Sequence, residues 1–355
     1  MNNIVIKKLK GKREVGPGKP VFIIAEMSGN HSQSYERALK IIDAAVEAGV
    51  DAIKLQTFTA DTITLDCDNK YFQINDGGLW DGKNLYKHYD KTCTPWGWQP
   101  KLKAYAEKQG LIFFSSPFDA TAVDFLEKMK IEIYKVASLE VVDVPLLERI
   151  GKTKKPVIMS RGTSNVEEIK LAIKTLKKNG CPQVAVLQCV SSYPAKPENM
   201  NLKTIPNLAK RFGVVSGLSD HGLGNEVSIA AVALGASIVE KHITLSRKDN
   251  DVDGPFSLEP DEFKGLVQDI RTVEKALGRP AYGVGASETV AVTYRKSLFV
   301  VEDIKKGEKL TYRKNVRSIR PGYGLEPKYY KKVLGKVAKT DIKKGTPLSW
   351  KLIKK

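Results

Sequence analysis

The chain alternates short apolar runs with amphipathic segments from Val21 to about residue 280. Between the runs, segments such as 35–49 place apolar residues at three- and four-residue spacing and end at a glycine, which is typical of a helix packed on a sheet. Eight strand-helix units over roughly 260 residues predict a (β/α)8 TIM barrel. The eight runs, rich in β-branched and aromatic residues, are 21–27, 52–58, 112–118, 133–139, 156–161, 184–190, 214–220 and 238–244.

One unit of this repeat is interrupted by a long segment, 60–99, which separates the second strand from its helix. It contains three of the four tryptophans of the chain. A βα loop of that length is unusual, and it predicts a lid or substrate wall over the C-terminal face of the barrel. A decoration confined to one lineage is the alternative explanation.

The alternating pattern ends at a Gly- and Pro-rich stretch after Gly278. Short strands and turns follow, and the sequence Asp-Ile-Lys-Lys-Gly occurs twice, at Asp303 and Asp341. We therefore predict a barrel domain at 1–280 that includes an N-terminal extension, a linker at 281–292 and a small β-rich domain at 293–355.

Most of the positive charge lies in this last part of the chain. The formal net charge is +18, and from Ala291 to Lys355 there are 19 Lys and Arg against 5 Asp and Glu, a net +14. Such a domain could bind nucleic acid or an anionic small molecule, but we favour a solvated lysine-rich surface and expect no nucleic-acid partner. Without a long apolar run or a Cys-x-x-Cys pair, we expect a cytoplasmic protein with free thiols and no membrane partner.

Polar residues interrupt the apolar runs near their C-terminal ends, where TIM barrels place their chemistry. They are Glu26, Lys54, Gln56, Ser115, Ser116, Lys135, Ser138, Glu140, Ser160, Arg161, Gln188, Ser219, Asp220, His221, Glu240 and His242.

Two lysines stand inside apolar strands, Lys54 and Lys135. Because a buried lysine needs an anionic partner, each could form a structural ion pair with a glutamate of the neighbouring strands. The serines at the same strand ends favour a pocket for a phosphate and a carboxylate instead.

Two histidines, His221 and His242, stand at the ends of consecutive strands and are expected to meet at one rim of the barrel. A single histidine there would more often be a hydrogen-bonded core residue. Two of them beside Asp220 and Glu240 favour a divalent metal site, with the acids fixing the orientation of the rings. We expect His31 to line the mouth of the barrel and His88, in the long segment, to be solvated.

Several motifs closely resemble those of the sialic acid synthase family. The last part of the chain, with Tyr294-Arg-Lys-Ser-Leu298 and Arg320-Pro-Gly322, resembles the antifreeze-like SAF domain of those enzymes. The barrel motifs are Ala25-Glu-Met-Ser-Gly-Asn-His31, Lys54-Leu-Gln-Thr57, Phe114-Ser-Ser-Pro-Phe-Asp119, Tyr134-Lys-Val-Ala-Ser138, Leu218-Ser-Asp-His221 and Glu240-Lys-His-Ile-Thr244.

This resemblance implies an enzyme that condenses phosphoenolpyruvate with the aldehyde of an acetamido sugar and releases phosphate. It implies a divalent metal on His221 and His242, with Mn2+ expected and Mg2+ or Co2+ as alternatives. It also implies a domain-swapped homodimer whose SAF domain closes the barrel of the partner. The expected site residues are Lys54, Ser116, Lys135, Ser138, Ser160 and Ser219 for phosphoenolpyruvate, Glu26, Glu140, Glu240 and Asp253 for catalysis, and Gln56, Tyr193, Asp253 and Arg320 for the sugar.

Within the family, the aromatic segment resembles the pseudaminic acid branch. The matching motifs are Leu79-Trp-Asp-Gly-Lys-Asn-Leu-Tyr86, Thr94-Pro-Trp-Gly-Trp98 and Phe256-Ser-Leu-Glu-Pro260. The acceptor implied is 2,4-diacetamido-2,4,6-trideoxy-L-altrose, and the N-acetylneuraminate and legionaminate branches are the alternatives. A non-catalytic sugar or nucleic-acid binding protein is a different class of hypothesis, which the lysines and histidines at the strand ends disfavour.

Overall fold

A computed structural model describes residues 3–75 and 77–354 of the chain. The chain divides into two compact units, Met1–Gly278 and Arg279–Lys355, each with its own hydrophobic core. Within the described ranges, no helix has both the length and the apolar composition needed to cross a membrane.

The first unit is a closed barrel of eight parallel strands, which confirms the predicted (β/α)8 architecture. An antiparallel hairpin, β1 (Ile4–Lys7) and β2 (Lys12–Val15), precedes it. The barrel closes because the last strand pairs with both its predecessor and the first barrel strand. The barrel strands are β3 (Phe22–Glu26), β4 (Ala52–Thr57), β5 (Ile112–Pro117), β6 (Tyr134–Val136), β7 (Val157–Ser160), β8 (Val184–Cys189), β9 (Val215–Asp220) and β10 (Ile238–His242).

Helices follow the strands and cover the outside of the barrel. The first shows how the sequence sets its ends, because the Ser34 side chain accepts a hydrogen bond from the Arg37 backbone and Gly49 adopts a left-handed conformation at φ 80°. The helices are α1 (Tyr35–Ala48), α2 (Ala60–Ile63), α3 (Leu85–Thr92), α4 (Gln99–Lys108), α5 (Ala120–Lys128), α6 (Val144–Gly151), α7 (Val166–Lys178), α8 (Thr204–Phe212), α9 (Glu226–Ala233) and α10 (Pro260–Leu277). Two of them, α2 and α3, lie within the predicted long segment, which also forms 3₁₀ turns at Lys70–Phe72 and Trp96–Trp98.

The interior of the barrel is apolar at its N-terminal end and polar at its C-terminal end. The N-terminal hairpin contributes Ile4, Ile6 and Val15 to one buried cluster with inward residues such as Phe22 and Ile24. Because successive side chains of a strand point to opposite faces, the inward row of β3 continues from Ile24 to Glu26. The hairpin therefore closes one end, and the polar groups inside the barrel face the other.

The second unit contains an antiparallel pair, β11 (Ser297–Val300) and β12 (Val316–Ile319), with the short helices α11 (Thr289–Val292) and α12 (Tyr330–Val333). Its two Asp-Ile-Lys-Lys-Gly turns pair with each other. The Asp303 carboxylate accepts a 2.8 Å hydrogen bond from the Lys344 backbone, and Asp341 accepts one of 2.8 Å from Lys306. The same turn thus occurs twice, and the aspartate of each copy accepts a hydrogen bond from the backbone of the other copy.

Candidate active site

A cavity opens at the C-terminal end of the barrel, and every residue of the first unit to which the family resemblance assigns a role lines it. These residues are Glu26, Lys54, Gln56, Ser116, Lys135, Ser138, Glu140, Ser160, Tyr193, Ser219, His221, Glu240, His242 and Asp253. These residues come from the barrel strands and the loops that follow them, and the structure places them in one cavity. Their roles stay predictions, because lining a cavity does not assign a function.

The floor of the cavity is a charge cluster, which we define as Glu26, Lys54, Lys135 and Glu240. The Lys54 ammonium lies 2.6 Å from Glu26 Oε2 and 3.8 Å from Glu240 Oε2, and Lys135 lies 3.4 Å from Glu240 Oε1. No member of the cluster exposes more than 4% of its surface. The two positive and two negative groups compensate one another out of contact with bulk water.

Hydroxyl groups complete the coordination of the two ammonium groups. Lys135 Nζ donates to Ser160 Oγ at 2.7 Å, and Lys54 Nζ donates to Ser116 Oγ at 3.3 Å. Ser219 Oγ donates to Glu240 at 2.9 Å. Ammonium and hydroxyl donors that converge in a buried pocket suit a ligand with several anionic oxygens.

The carboxyl groups of the cavity differ in their affinity for protons. Burial raises the pKa of Glu26 and of Asp253, and it raises the pKa of Glu140 to about 7. Burial also opposes the charge on Glu240, but the nearby Lys135 and Lys54 outweigh it and lower the pKa of that group. Glu140 is therefore suited to exchange a proton near neutral pH, and Glu240 is suited to stay ionised.

The two imidazoles meet at the rim, as the strand order predicted. The ring centroids of His221 and His242 are 5.3 Å apart. His221 Nδ1 lies 2.9 Å from the carbonyl oxygen of Val190, which can only accept, so Nδ1 carries a proton, and in the neutral ring the lone pair is on Nε2. His242 Nδ1 is buried and has no hydrogen-bond partner among the described residues.

A divalent metal fits this pair of rings. Burial lowers the pKa of His242 well below its ordinary value, which keeps that ring neutral as metal binding requires. Burial also opposes a proton on His221, but Cys189 outweighs it and raises the pKa, so a metal would have to displace that proton. In the part of the chain that the structure describes, no group of three or more His, Cys, Asp or Glu side chains is arranged to hold a metal. The protein would thus supply two ligands and leave positions for substrate and water.

The expectation that Asp220 supports a metal site is wrong. Asp220 Oδ2 accepts 2.7 Å and 2.8 Å hydrogen bonds from Lys241 and Ser228, away from the imidazoles. Ser115, Arg161 and Gln188 also do not line the cavity. All four occupy the outward face of their strand or its continuation, because residues next to inward positions such as Ser116 and Ser219 must point the other way.

Both expectations for the remaining histidines are also wrong. His31 is fully buried, and its Nε2 lies 3.0 Å from Thr94 Oγ1, so it packs beneath the long segment instead of lining the mouth. His88 lines the cavity. Burial lowers the pKa of His88 to about 4.

An aromatic wall, which we define as Trp80, Tyr193 and Phe256, borders the imidazoles. Tyr193 lies 4.6 Å from His221 and Phe256 lies 4.9 Å from His242, both measured between ring centroids. Sequence reasoning assigned only Tyr193 to the site. The tryptophan content of the long segment signalled a wall, but no periodicity indicates which aromatic residue of a loop reaches the cavity.

Arg320 belongs to the second unit, where it follows β12 and is exposed. Its predicted contact with the sugar stays a prediction.

Comparisons with known proteins agree with this site and fold. The NeuB family model matches residues 41–282, and the SAF domain model matches residues 295–354. The pseudaminic acid synthase of Campylobacter jejuni is 43% identical over 330 residues, covering 93% of this chain and 96% of the relative. That of Helicobacter pylori is 40% identical over 332 residues, with 93% and 97% covered.

Among solved structures, the N-acetylneuraminic acid synthetase of Leptospira borgpetersenii in complex with citrate aligns with a TM-score of 0.70 and 32% identity. The alignment covers 81% of this chain and 96% of that structure. Since a family model covers most of the barrel and relatives above 40% identity cover nearly the whole chain, the protein belongs to the NeuB family and carries a SAF domain.

Proposed function

We propose that the protein condenses phosphoenolpyruvate with 2,4-diacetamido-2,4,6-trideoxy-L-altrose and water to give pseudaminate and phosphate. The observation that carries the proposal is the buried charge cluster lying in one cavity with two imidazoles at the end of a closed barrel. Family membership supports the reaction. The identity of 40–43% to pseudaminic acid synthases exceeds the 32% to the N-acetylneuraminic acid synthetase and the 31–35% to N,N'-diacetyllegionaminic acid synthases. This supports the acceptor over the N-acetylneuraminate and legionaminate types.

Phosphoenolpyruvate would bind on the charge cluster. Its phosphate and carboxylate carry a charge of about −3 near neutral pH, which calls for more than one cation. Lys54 and Lys135 would hold these groups with the hydroxyls of Ser116, Ser138, Ser160 and Ser219. Glu26 and Glu240 compensate the lysines before the ligand arrives. Since the ligand adds negative charge, carboxyl groups with a raised pKa are the ones that can take up protons when it binds.

The acid-base steps would fall to the four carboxyl groups of the cavity. The enol carbon of phosphoenolpyruvate attacks the aldehyde carbon, water adds to the carbon that carries the phosphate oxygen, and phosphate departs with that oxygen. The new hydroxyl takes up one proton and the departing phosphate another, and the water gives up both as its oxygen becomes the keto oxygen. Glu140, whose pKa is raised to about 7, is suited to donate a proton, and Glu26 and Asp253, whose pKa burial raises, are further donors once protonated. Glu240 stays ionised to orient the two lysines.

His221 and His242 would hold the divalent metal, with Mn2+ expected and Mg2+ or Co2+ as alternatives. A metal bound there would polarise the carbonyl of the acceptor as a Lewis acid. The chain fixes the tautomer of one ring and places a carboxyl group near the other. The Val190 carbonyl sets the tautomer of His221, and Asp253 Oδ2 lies 3.7 Å from His242 Nδ1.

The sugar would contact Gln56, Tyr193 and Asp253 within the barrel. Arg320 would reach it from a second copy of the chain, in a domain-swapped homodimer. Membership of the family and the exposed position of Arg320 support this arrangement.

The proposed reaction is tested by phosphate release from phosphoenolpyruvate with a panel of acceptor sugars. We expect release only when an acceptor is present and the highest kcat/KM with 2,4-diacetamido-2,4,6-trideoxy-L-altrose. EDTA should abolish release and added Mn2+ should restore it, because the two imidazoles alone cannot polarise the aldehyde. Equal consumption with and without EDTA would remove the metal from the mechanism. Failure with every acceptor would overturn the synthase assignment.

The metal assignment is tested by Mn2+ binding, independently of turnover. We expect His221→Ala and His242→Ala each to weaken binding in isothermal titration by at least about 100-fold, since each removes one of two protein ligands. His88→Ala is the matched control, because His88 lines the same cavity but contacts Trp80 and Tyr89, and it should bind Mn2+ as the wild type does. Undiminished binding in His242→Ala would place the metal elsewhere.

The raised pKa of Glu140 predicts a pH dependence. Because a trianionic ligand opposes a carboxylate beside it, the protonated form of Glu140 should bind phosphoenolpyruvate. With a pKa of about 7, kcat/KM for phosphoenolpyruvate should then fall as pH rises through about 7. In Glu140→Gln this decrease should vanish, while the ionisation of the ligand itself remains in both profiles. A Gln variant that keeps the same decrease would exclude Glu140 as its source.

A further inference from the structure

Trp80 occupies the outer position of the aromatic wall. Its indole Nε1 donates a 3.4 Å hydrogen bond to the carbonyl oxygen of Val252, in the loop after β10. Its ring centroid lies 5.2 Å from that of Tyr193 and 6.4 Å from that of Phe256. Trp80 therefore joins the long segment after β4 to two other loops of the cavity.

Backbone hydrogen bonds stabilise the turn that contains Trp80. Ile74 donates to the carbonyl oxygen of Lys83 at 2.8 Å, and Gly82 donates to that of Ile74 at 2.8 Å. Asn84, which follows this turn, is buried and donates to the Cys67 carbonyl at 2.9 Å. The indole is thus positioned by the fold of the segment before any ligand arrives.

The cavity changes in polarity from its floor to this wall. The charge cluster lies at the floor, the two imidazoles stand between, and Tyr193 and Phe256 pack against the imidazoles. An acceptor whose aldehyde sits at the imidazoles, with phosphoenolpyruvate on the charge cluster, must direct its remaining carbons toward the wall. Trp80 contacts Tyr193 and Phe256, and these two rings contact the imidazoles. Trp80 would therefore contact the carbons of the acceptor that are farthest from its aldehyde.

The indole offers these carbons an apolar surface. Its single N–H already donates to Val252, so a hydroxyl placed against the ring would lose water without gaining a hydrogen bond from the indole. A methyl group has no hydrogen bond to water to lose, and it buries apolar area. We propose that Trp80 is a specificity-determining residue that selects acceptors with a methyl group at the distal carbon, a 6-deoxy sugar, over acceptors with a hydroxyl there.

This inference rests on the proposed function and names the acceptor class within it. An apolar pocket discriminates weakly against an added hydroxyl, by about 100-fold at most in comparable pockets. We therefore expect the wild type to prefer the 6-deoxy acceptor over its 6-hydroxy analogue by about 10- to 100-fold in kcat/KM.

The experiment compares kcat/KM for 2,4-diacetamido-2,4,6-trideoxy-L-altrose and for the analogue with a 6-hydroxyl group. Trp80→Gln introduces hydrogen-bonding groups at similar reach and should lower the preference by about tenfold or more. Trp80→Phe keeps an apolar ring and should keep the preference within about threefold. Leu79→Ala, at the exposed neighbour in the same turn, is the control and should match the wild type. The KM for phosphoenolpyruvate should change by less than about twofold in all three, because that ligand binds at the other end.

Equal preferences in Trp80→Gln, Trp80→Phe and the wild type would overturn the inference while leaving the reaction intact. A change confined to the KM for phosphoenolpyruvate would also overturn it. If the wild-type protein turns over neither sugar, the proposed function itself fails, and the two failures are thereby distinguished.

Discussion

The structure depends on the charge cluster of Glu26, Lys54, Lys135 and Glu240 inside the barrel. Removing a charged group from water costs several kcal/mol per ion, and the attraction within a buried pair often does no more than offset that cost. Apolar residues of similar size could fill the same space and would often be neutral or stabilising. The cluster is therefore poorly explained as a stabilising device, and its position at the floor of an open cavity indicates a binding role.

The rest of the barrel accommodates this cluster. The N-terminal hairpin closes the opposite end with Ile4, Ile6 and Val15, so the apolar core lies below the charges. Toward the C-terminal ends of the strands, the side chains that face the barrel interior change from apolar to charged. The imidazoles lie above the charge cluster, and the aromatic wall lies above the imidazoles. This sequence of environments matches a reaction between a small, highly charged ligand and a larger, partly apolar one.

The sequence predicted the eight strands and most of the cavity because both follow from local patterns. Apolar runs of strand length define the barrel. Burying a charged side chain inside such a run costs free energy, so Lys54 and Lys135 stood out as candidates for a function. The errors came from treating every polar residue near a strand end as part of the site. Asp220 and Ser115 share their strand ends with site residues but belong to the opposite face, where Asp220 pairs with Lys241.

Loop residues were harder to predict for a physical reason. Trp80 and Phe256 reach the cavity through the folding of long loops, whose course depends on tertiary contacts such as the hydrogen bond from Trp80 to Val252. For the same reason His88 lines the cavity and His31 is buried beneath the long segment, against expectation. Neither spacing nor composition carries that information. The tryptophan content of the long segment predicted a wall, and Trp80 of that segment lines the cavity.

Binding of phosphoenolpyruvate in the absence of acceptor tests the role of the charge cluster most directly. Isothermal titration should give a Kd at least about 30-fold weaker in Lys135→Met than in the wild type, since removing one partner of a buried charge-assisted contact costs about 2 kcal/mol or more. Lys155→Met, which removes a lysine paired with Glu127 away from the cavity, should leave the Kd unchanged. Equal affinity in Lys135→Met and the wild type would show that the charge cluster does not bind phosphoenolpyruvate.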